Sequence, residues 1–455
     1  MTDPLGPTQL TQEEPLMATA RPNHADSSYY KAPEMSVSLA GWLDQARQWH
    51  IEYGGYLSNH LTHNWVVMGA AHAPDERFRW WHDLYMHKLE QSPAREPGPL
   101  EPCRTCTPGE AITEETWLTC IEREREGFAG YRDFFDARIS ENGVSAVLRK
   151  YLPPLLPGLA GAALHPLIHT GWGMDANHEH MLADGLAYMA TAFQPLATEA
   201  PHTPPTELWS PDGLTPIAAT LAYLTKAREQ GLSEISDEAS KTEEYLSLER
   251  GYFQHRIITF DDSELPLGAS LNEAGPLGLP ALDEPLLPAI EECVVLLSAA
   301  LRASKNEFFV LHGLTSLHAV LTLIPHLGAK DQRDAITHWW RAVMATLVSQ
   351  DFPELERTVE TVQGWVDGRE AGQEQSPPQV DDEKRAWWRE RLTSTLGSLD
   401  EHVPKAVYVF WRWSEWGVFG QDTVKLFEAS AHDISQPHPG GEVDQHLWFS
   451  RAFTD

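Results

Sequence analysis

The sequence reads Leu164-His165-Pro166-Leu167-Ile168-His169-Thr170-Gly171-Trp172-Gly173 in its most informative stretch, which places two histidines in an otherwise apolar segment that ends in glycine. Proline is favoured at the first position of a helix, so Pro166 predicts a helix with His165 at its start and His169 one turn later. The two imidazoles can then converge on one point. The alternative is a pair of core histidines that bond to backbone carbonyls.

Length and charge limit the classes of protein to which this chain can belong. With 455 residues, of which 42% are hydrophobic, it can bury a large core as one large domain or two tightly joined ones. Lysine and arginine total 34 against 66 acidic residues, and the net charge of -32 repels nucleic acid and anionic membrane surfaces. We therefore expect neither nucleic acid nor a membrane as a partner. The 17 tryptophans suit a protein that encloses a flat organic ligand, although an ordinary helical core accounts for most of them.

The N-terminus and the cysteines bear on the cellular compartment. Met1-Thr2-Asp3-Pro4 lacks the basic start and apolar stretch of a secretory signal, which favours a cytoplasmic location. The longest apolar run, around residues 293–301, is too short to cross a bilayer, which takes about 20 residues. The four cysteines include one close pair, Cys103 and Cys106, without a second such pair. We therefore predict free thiols, with a structural zinc site as the alternative.

The spacing of apolar residues predicts a mainly α fold. They recur at three- and four-residue steps, as between Leu39 and Trp49, and alternating strand patterns are scarce. We predict a disordered N-terminal tail over residues 1–35 and a single large helical domain over residues 36–455. Proline-rich or polar surface loops are expected near residues 91–112, 195–215 and 367–382.

Several familiar catalytic motifs are missing from the sequence. It has no Gly-x-Gly-x-x-Gly, no Gly-x-x-x-x-Gly-Lys-Ser/Thr, no Gly-x-Ser-x-Gly and no His-Glu-x-x-His. Their absence argues against a Rossmann cofactor site, a P-loop, a hydrolase nucleophile elbow and a zincin metal site. A His-x-Asp pattern, His24 to Asp26, falls in the predicted tail and is interpreted as coincidence.

Two further pairs of histidines lie on apolar helical stretches. His60 and His63 are three residues apart and share one face of a predicted helix. His312 and His318 are six residues apart, about 240° around a helix, so only one of them can face a given point. Core or surface histidines account for each pair alone. Three such pairs on three apolar helices nevertheless have the pattern of a metal site.

Lys405 stands at the head of a strongly apolar stretch that runs to Trp411, just after Pro404. On one interpretation its amine reaches back to water. On the other it is buried, its pKa falls, and the neutral amine takes up carbon dioxide to form a carbamate. A carbamate would supply the anionic oxygen ligand that an all-histidine site lacks.

Taken together, these segments resemble the questin oxidase-like family, whose fungal and bacterial members oxidise aromatic polyketides such as anthraquinones. The resemblance spans roughly residues 50 to 420. It rests on Asn59-His60-Leu61-x-His63, His165-Pro166-Leu167-Ile168-His169-x-Gly171-Trp172-Gly173, Leu311-His312-Gly313-Leu314-Thr315 and Asp400-x-x-Val403-x-Lys405-Ala406. It implies an oxygenase that splits a quinone ring or inserts oxygen into it.

The resemblance also implies a set of site residues. The implied metal ligands are His60, His165, His169 and His312, with Lys405 as a candidate carbamylated ligand. His165 and His169 are the candidate catalytic residues. The resemblance does not supply the substrate contacts; from the residues themselves we expect Trp65, Trp172, His63 and His318 to contact the aromatic substrate.

We predict an oxygenase that holds Fe(II), which imidazoles suit, uses dioxygen as co-substrate and oxidatively cleaves a ring of an anthraquinone-like polyketide. The first alternative is a metal-free Baeyer-Villiger-type oxidase of the same substrates that takes electrons from NADPH, although no dinucleotide motif supports it. The second is a non-catalytic helical protein that binds an aromatic metabolite. Metal analysis separates the first function from the other two, and oxygen consumption separates the enzymes from the binding protein.

Overall fold

Nineteen α-helices and one short hairpin form most of the regular structure in the residues that the structure describes. The computed structural model describes residues 29–54, 56–86, 89, 112–121, 127–196, 215–248, 251–273, 279–280, 284–304, 307–351, 354–371 and 382–435. The helices are α1 (Leu39–Ala46), α2 (Leu61–Ala70), α3 (Asp75–Tyr85), α4 (Phe128–Asn142), α5 (Val144–Leu155), α6 (His165–Asp175), α7 (Glu179–Thr191), α8 (Pro216–Glu229), α9 (Leu232–Ser240), α10 (Glu243–Leu246), α11 (Tyr252–Ile258), α12 (Pro266–Glu273), α13 (Leu287–Ala303), α14 (Phe308–Leu323), α15 (Ala329–Ser349), α16 (Leu355–Ala371), α17 (Asp382–Thr395), α18 (His402–Trp416) and α19 (Gln421–Ser435). Strands β1 (Glu52–Tyr53) and β2 (Leu57–Ser58) pair antiparallel. The predicted mainly α fold is confirmed.

Four helices, α2, α6, α14 and α18, form the centre of the fold. Helix α6 packs against α2, α7 and α14, and α18 packs against α2 and α14. These helices are buried along nearly their whole length, and in α2 every residue is buried. The sequences of α2, α6 and α14 have no strongly polar face, as expected for helices in the centre of a large protein, whereas α18 is amphipathic. The predicted histidine pairs lie on or next to three of these helices, so the fold carries polar rings into its core.

Helices α6 and α14 come into backbone contact at Gly171. A Cβ atom at this position would lie 2.4 Å from the Cα atom of Ala319, much closer than atoms pack. We therefore expect Gly171→Ala to lower the free energy of unfolding by about 1–3 kcal/mol, because the two helices would have to separate. Urea denaturation measures this change. Gly364→Ala is the control, since nothing lies within 4 Å of a Cβ there. Equal effects of the two variants would contradict the close contact.

Helix α14 and the turn after it are long and apolar enough to span a membrane. This segment, Phe308–His326, has 19 residues and a mean hydropathy of 1.6. The apolar run around residues 293–301 lies in α13, whereas Phe308–His326 is longer because scattered polar residues hardly lower its mean hydropathy. In the structure 89% of the apolar window is buried. Length and composition are weak indications of a membrane helix, and this burial is that of a core helix.

The predicted disordered tail extends too far along the chain. Tyr29 is buried, and its hydroxyl donates to the carbonyl of Leu321 at 3.0 Å. The hydroxyl of Tyr30 donates to Asp175 Oδ1 at 3.1 Å. Two consecutive tyrosines with partners in the core attach this segment to the fold. Residues 1–28 lie outside the described residues.

Most of the three predicted surface loops lies outside the described residues, including residues 91–111 and 197–214. In the third, residues 367–371 continue α16 and Asp382 begins α17. Both ends of that predicted loop are therefore helical.

The oxidation state of the cysteines agrees only in part with the prediction of free thiols. Cys293 is a free, buried thiol in α13, and burial raises its pKa above the usual value. Cys120 forms a disulfide whose partner lies outside the described residues, as do Cys103 and Cys106. For Cys120 the prediction is wrong, because spacing in the sequence gives no measure of how loops fold back on one another.

Candidate metal centre

Four buried histidines meet at the centre of the fold. His60 precedes α2, His165 begins α6, His312 lies in α14 and His402 begins α18. The distances between neighbouring ring centroids are 4.7 Å from His60 to His165, 4.5 Å from His165 to His312, 5.6 Å from His312 to His402 and 5.0 Å from His402 to His60. One ligand atom from each of the first three residues lies within 4.8 Å of the other two. We call the four residues the histidine cluster.

Backbone carbonyls fix the rings of His165 and His312. Nδ1 of His165 donates to the carbonyl of Ala162 at 2.6 Å, and Nδ1 of His312 donates to the carbonyl of Phe308 at 2.7 Å. Each Nε2 then carries a lone pair, and the two Nε2 atoms face each other at 3.1 Å. Burial and then nearby positive charges hold the pKa of both imidazoles well below the usual value, which disfavours a shared proton. A cation bound by both nitrogens would remove the repulsion between these lone pairs.

Carboxylates contact the other two rings. Nδ1 of His60 lies 3.3 Å from Glu401 Oε1, and Nδ1 of His402 lies 2.8 Å from Asp400 Oδ1. With Nδ1 as the donor, Nε2 is the ligand-type nitrogen of each ring. Nε2 of His60 is buried and has no hydrogen-bond partner among the described residues. Metal-binding histidines in proteins have this arrangement, in which the second ring nitrogen donates to a carboxylate or a backbone carbonyl.

A left-handed turn positions His165. Ala162, Ala163 and Leu164 have φ angles of 46°, 52° and 65°, a conformation that costs about 1–2 kcal/mol for each residue with a side chain. When its amide is oriented to satisfy both groups, Gln254 accepts from the backbone N–H of Ala162 at 2.7 Å and from that of Ala163 at 3.2 Å. Such strain persists only where the surroundings enforce it, and Gln254 is a side chain that enforces it here.

Lys405 lies beside the cluster rather than in water. It belongs to the first turn of α18 and is only 1% exposed. Burial first, and then positive charges that include the amine of Lys405, hold the pKa of His60, His165 and His312 below the usual value. Burial lowers the pKa of Lys405 itself to about 8, although two carboxylates of the preceding turn oppose the shift. Of the two interpretations of this lysine, the structure agrees with the buried one.

A cavity of about 280 Å³ opens beside the cluster, with His60 and His165 in its wall. The rest of the wall combines aromatic rings with a few polar groups. It includes Tyr53, Tyr56, Tyr252, Phe253, Phe308, Phe309, Ser58, Gln254, Gln350 and Glu401. A cavity of this composition suits a flat aromatic ligand that carries a few oxygen atoms.

A family model described as questin oxidase-like matches residues 57–410, which is more than half of the chain. The chain belongs to the questin oxidase-like family. The matched range contains the whole histidine cluster and Lys405. Membership of the family indicates an oxidoreductase that acts on a small aromatic molecule, as the sequence resemblance implied. No curated protein matches the chain.

Two of the histidines predicted for a questin oxidase-like site lie behind the cluster. Nδ1 of His169 is 3.2 Å from Nε2 of His63, whose ring centroid is 5.4 Å from that of His60. Neither residue lines the cavity. One helical turn advances a residue by about 5.4 Å, so His169 lies a full turn deeper than His165. By its ring distances His402, rather than His169, is the fourth member of the histidine cluster.

The other residues predicted to contact the substrate lie in the core. Trp65 is fully buried, and its Nε1 donates to a backbone carbonyl. Trp172 is fully buried between His63 and His318, and Nε2 of His318 bonds to Asp175 at 2.6 Å. None of these residues lines the cavity beside the cluster. Apolar helical spacing is the same for core positions and for the wall of a pocket, so the sequence did not separate the two.

Sequence reasoning missed four residues of this questin oxidase-like site. His402 completes the cluster, while Glu401 and Asp400 contact the Nδ1 atoms of two of its rings. The available signal was the run Asp400-Glu401-His402, which places two carboxylates and an imidazole at the start of an apolar helix. Gln254 gave no signal, because its partners are backbone groups of a distant turn.

Proposed function

We propose that this protein is a cytoplasmic non-haem iron oxygenase that uses dioxygen to cleave a ring of an anthraquinone-like aromatic polyketide. The observation that carries the proposal is the histidine cluster, in which four buried imidazoles have Nδ1 against an oxygen atom. Imidazole nitrogen is a ligand that suits iron. Bound iron supplies an open position for dioxygen and a path for electrons from the substrate.

The cluster fits a divalent metal ion better than it fits four unliganded histidines. A buried polar atom without a partner, such as Nε2 of His60, costs about 1–3 kcal/mol. The facing lone pairs of His165 and His312 add to this cost. A metal ion bound by the Nε2 atoms offsets both. Four neutral imidazoles bring no negative charge to the metal, and the carboxylates of Glu401 and Asp400 contact only the Nδ1 atoms of two rings, so part of the metal's charge stays uncompensated in a buried place, which is unfavourable.

We propose that Lys405 compensates part of this charge as a carbamate. The neutral amine attacks carbon dioxide, an N–C bond forms, and one proton leaves for solvent. An ammonium group beside a metal ion would add to the positive charge, whereas a carbamate subtracts from it. Burial favours the neutral amine that this reaction requires, since it lowers the pKa of Lys405 to about 8.

The cavity orients the substrate against the cluster. Aromatic side chains such as Tyr252 and Phe309 form walls on which a planar ring system can stack while water is excluded. Glu401 lines the cavity and also contacts Nδ1 of His60. Its carboxylate is therefore placed to accept the proton of a substrate hydroxyl as the phenol ionises. An ionised phenol gives up an electron more readily than a neutral one.

The test uses full-length protein purified without a histidine tag. We expect about one iron per chain, as a single site of this type holds, and oxygen uptake with a hydroxylated anthraquinone or its reduced form. A chelator should stop the uptake, and Fe(II) should restore it. Uptake that needs NADPH and survives the loss of metal would favour the Baeyer-Villiger-type alternative. Binding of the anthraquinone without oxygen uptake would favour a binding protein. Either result would overturn the proposal.

Gln254→Met is expected to weaken iron binding although Gln254 does not belong to the cluster. Methionine has nearly the same size but cannot accept the backbone N–H groups of Ala162 and Ala163, so the turn that orients His165 loses support. The loss should be roughly tenfold or more in metal affinity, as for other groups that hold a ligand in place. Competition with a coloured chelator measures it.

Gln350→Met is the matched control for this prediction. Gln350 lines the same cavity, but the described contact of its side chain is with Ser349. The control should bind iron as the parent does. Equal affinities in both variants would show that Gln254 does not hold the turn.

A further inference from the structure

A buried polar network lies outside the wall of the cavity, and the proposed function does not use it. Asp175 at its centre is 0% exposed. Oδ2 accepts from the hydroxyl of Tyr408 at 2.8 Å and contacts Nε2 of His318 at 2.6 Å, while Oδ1 accepts from Tyr30 at 3.1 Å. Burial alone would raise the pKa of Asp175, but His318 and Arg412 lower it below the usual value. Asp175 is thus a buried carboxylate that remains ionised.

A continuous series of aromatic rings connects this network to the histidine cluster. The ring centroid of His63 is 5.4 Å from His60 and 5.8 Å from Trp172. Trp172 is 5.8 Å from Tyr408, which is 6.0 Å from Trp411. Trp411 is only partly buried, so the series reaches the surface of the protein.

The link at Trp172 consists of ring contacts rather than hydrogen bonds. Its Nε1 atom is buried and has no hydrogen-bond partner in the part of the chain that the structure describes. A proton therefore has no route through this side chain. Tryptophan and tyrosine are the side chains from which one electron is most easily removed, so the same series can carry electrons. At Tyr408 a proton acceptor, Asp175, is already in hydrogen-bond contact.

We infer that Trp172, Tyr408 and Trp411 form an electron-transfer path that removes oxidising equivalents from the histidine cluster when dioxygen is reduced there without a substrate. This inference rests on the proposed function, which supplies the oxidant. The path protects the four histidines and the cavity wall from oxidation. It adds a second activity to the protein, the reduction of this oxidant by a one-electron donor in solution.

The oxidation of Tyr408 balances as follows. Its O–H bond breaks, the proton moves to Oδ2 of Asp175, and one electron passes through Trp172 to the one-electron oxidant at the cluster. The product is a neutral tyrosyl radical. A donor such as a thiol or ascorbate then returns one electron through Trp411, and the proton moves back from Asp175 to Tyr408. The 2.8 Å hydrogen bond allows the proton to move without rearrangement of the core.

The experiment compares iron-loaded parent, Tyr408→Phe and Tyr223→Phe proteins, each mixed with dioxygen in the absence of substrate and frozen at short times. Electron paramagnetic resonance should show a tyrosyl radical in the parent that Tyr408→Phe loses. Tyr223→Phe is the matched control, because Tyr223 is also buried, contacts Ser270 through its hydroxyl and packs against Trp340. It should retain the signal. Tyr408→Phe should also accumulate more oxidised histidine in the cluster, which peptide mass spectrometry measures.

A second arm needs no metal and separates the two hypotheses. Azide radicals made by pulse radiolysis oxidise tryptophans of the metal-free protein, and the decay of the tryptophan radical into a tyrosyl radical is followed optically. Tyr408→Phe should remove the part of this conversion that ends at Tyr408, and Tyr223→Phe should keep that part. If the parent binds iron but neither arm gives a radical at Tyr408, the electron path is overturned and the oxygenase proposal stands. If the parent binds no iron and the conversion still depends on Tyr408, the oxygenase proposal fails. The side chains then still conduct electrons, but the inference that they drain an oxidant formed at the histidine cluster is overturned.

Discussion

Replacing His165 or His312 by alanine is expected to abolish both iron binding and oxygen uptake while the fold is retained. Each change removes one of the two Nε2 atoms that face each other at 3.1 Å. Loss of a group that merely orients a ligand already costs about 10–100-fold in metal affinity, so loss of the ligand itself should cost more. The iron content per chain and the unfolding temperature of the metal-free protein measure the two halves of this expectation.

Two further variants test which histidine is the fourth ligand. His402→Ala should behave as His165→Ala does, because the ring of His402 contacts those of His312 and His60. His169→Ala should keep its iron, because His169 contacts His63 one turn away from the cluster. The opposite result, iron lost with His169 and kept without His402, would restore the ligand set that the sequence predicted.

A histidine outside the site provides the control for both sets of variants. His338 lies on α15, and burial lowers its pKa to about 4. His338→Ala therefore removes an imidazole that is also held neutral by the protein. Iron content and oxygen uptake should equal those of the parent. A loss of iron in this control would mean that any histidine deletion disturbs the fold enough to release the metal.

The sequence predicted the helices of this fold well because the central ones carry long apolar stretches. The sequence also predicted that His60, His165 and His312 come together, since histidines stand out in such stretches and their spacing limits the faces that they can share. Their role as metal ligands stays a prediction. The choice between His169 and His402 needed the fold. His165 and His169 share a face of α6, and only the packing of α18 shows that the neighbouring space is filled by His402.

The groups that hold the candidate ligands in place could not be predicted from the sequence. The sequence Ala162-Ala163-Leu164 does not predict three residues with left-handed backbone angles, because alanine and leucine favour the right-handed helix. That conformation exists only because distant groups such as Gln254 stabilise it. The composition around Tyr29 predicts a disordered tail for the same reason, since it does not show the contact of Tyr29 with Leu321, almost three hundred residues away.

Lys405→Ala is expected to remove most of the iron and all of the oxygen uptake, because a carbamate at this position would be the only anionic group we place among the ligands. Lys405 is buried beside three cluster histidines, so a plain ammonium would oppose a metal ion there. Lys405→Glu returns an anionic oxygen at a shorter reach and should recover part of the metal binding. Lys425→Ala is the control, since Lys425 is exposed on α19 and pairs with Asp422.

Carbon dioxide and pH provide a test of the carbamate that leaves the chain unchanged. Protein depleted of carbon dioxide should gain iron affinity and activity when bicarbonate is added, and carbon-13 bicarbonate should give a carbamate resonance that Lys405→Ala lacks. Carbamate forms from the neutral amine, and burial lowers the pKa of Lys405 to about 8. Iron uptake at fixed carbon dioxide should therefore rise as pH increases through about 8, where an ordinary lysine would still be almost fully protonated. An unmodified Lys405 in the iron-loaded protein, together with an active Lys405→Ala variant, would contradict the carbamate. Only the imidazole ligands of the proposal would then remain, and Glu401 and Asp400 alone would compensate the buried charge.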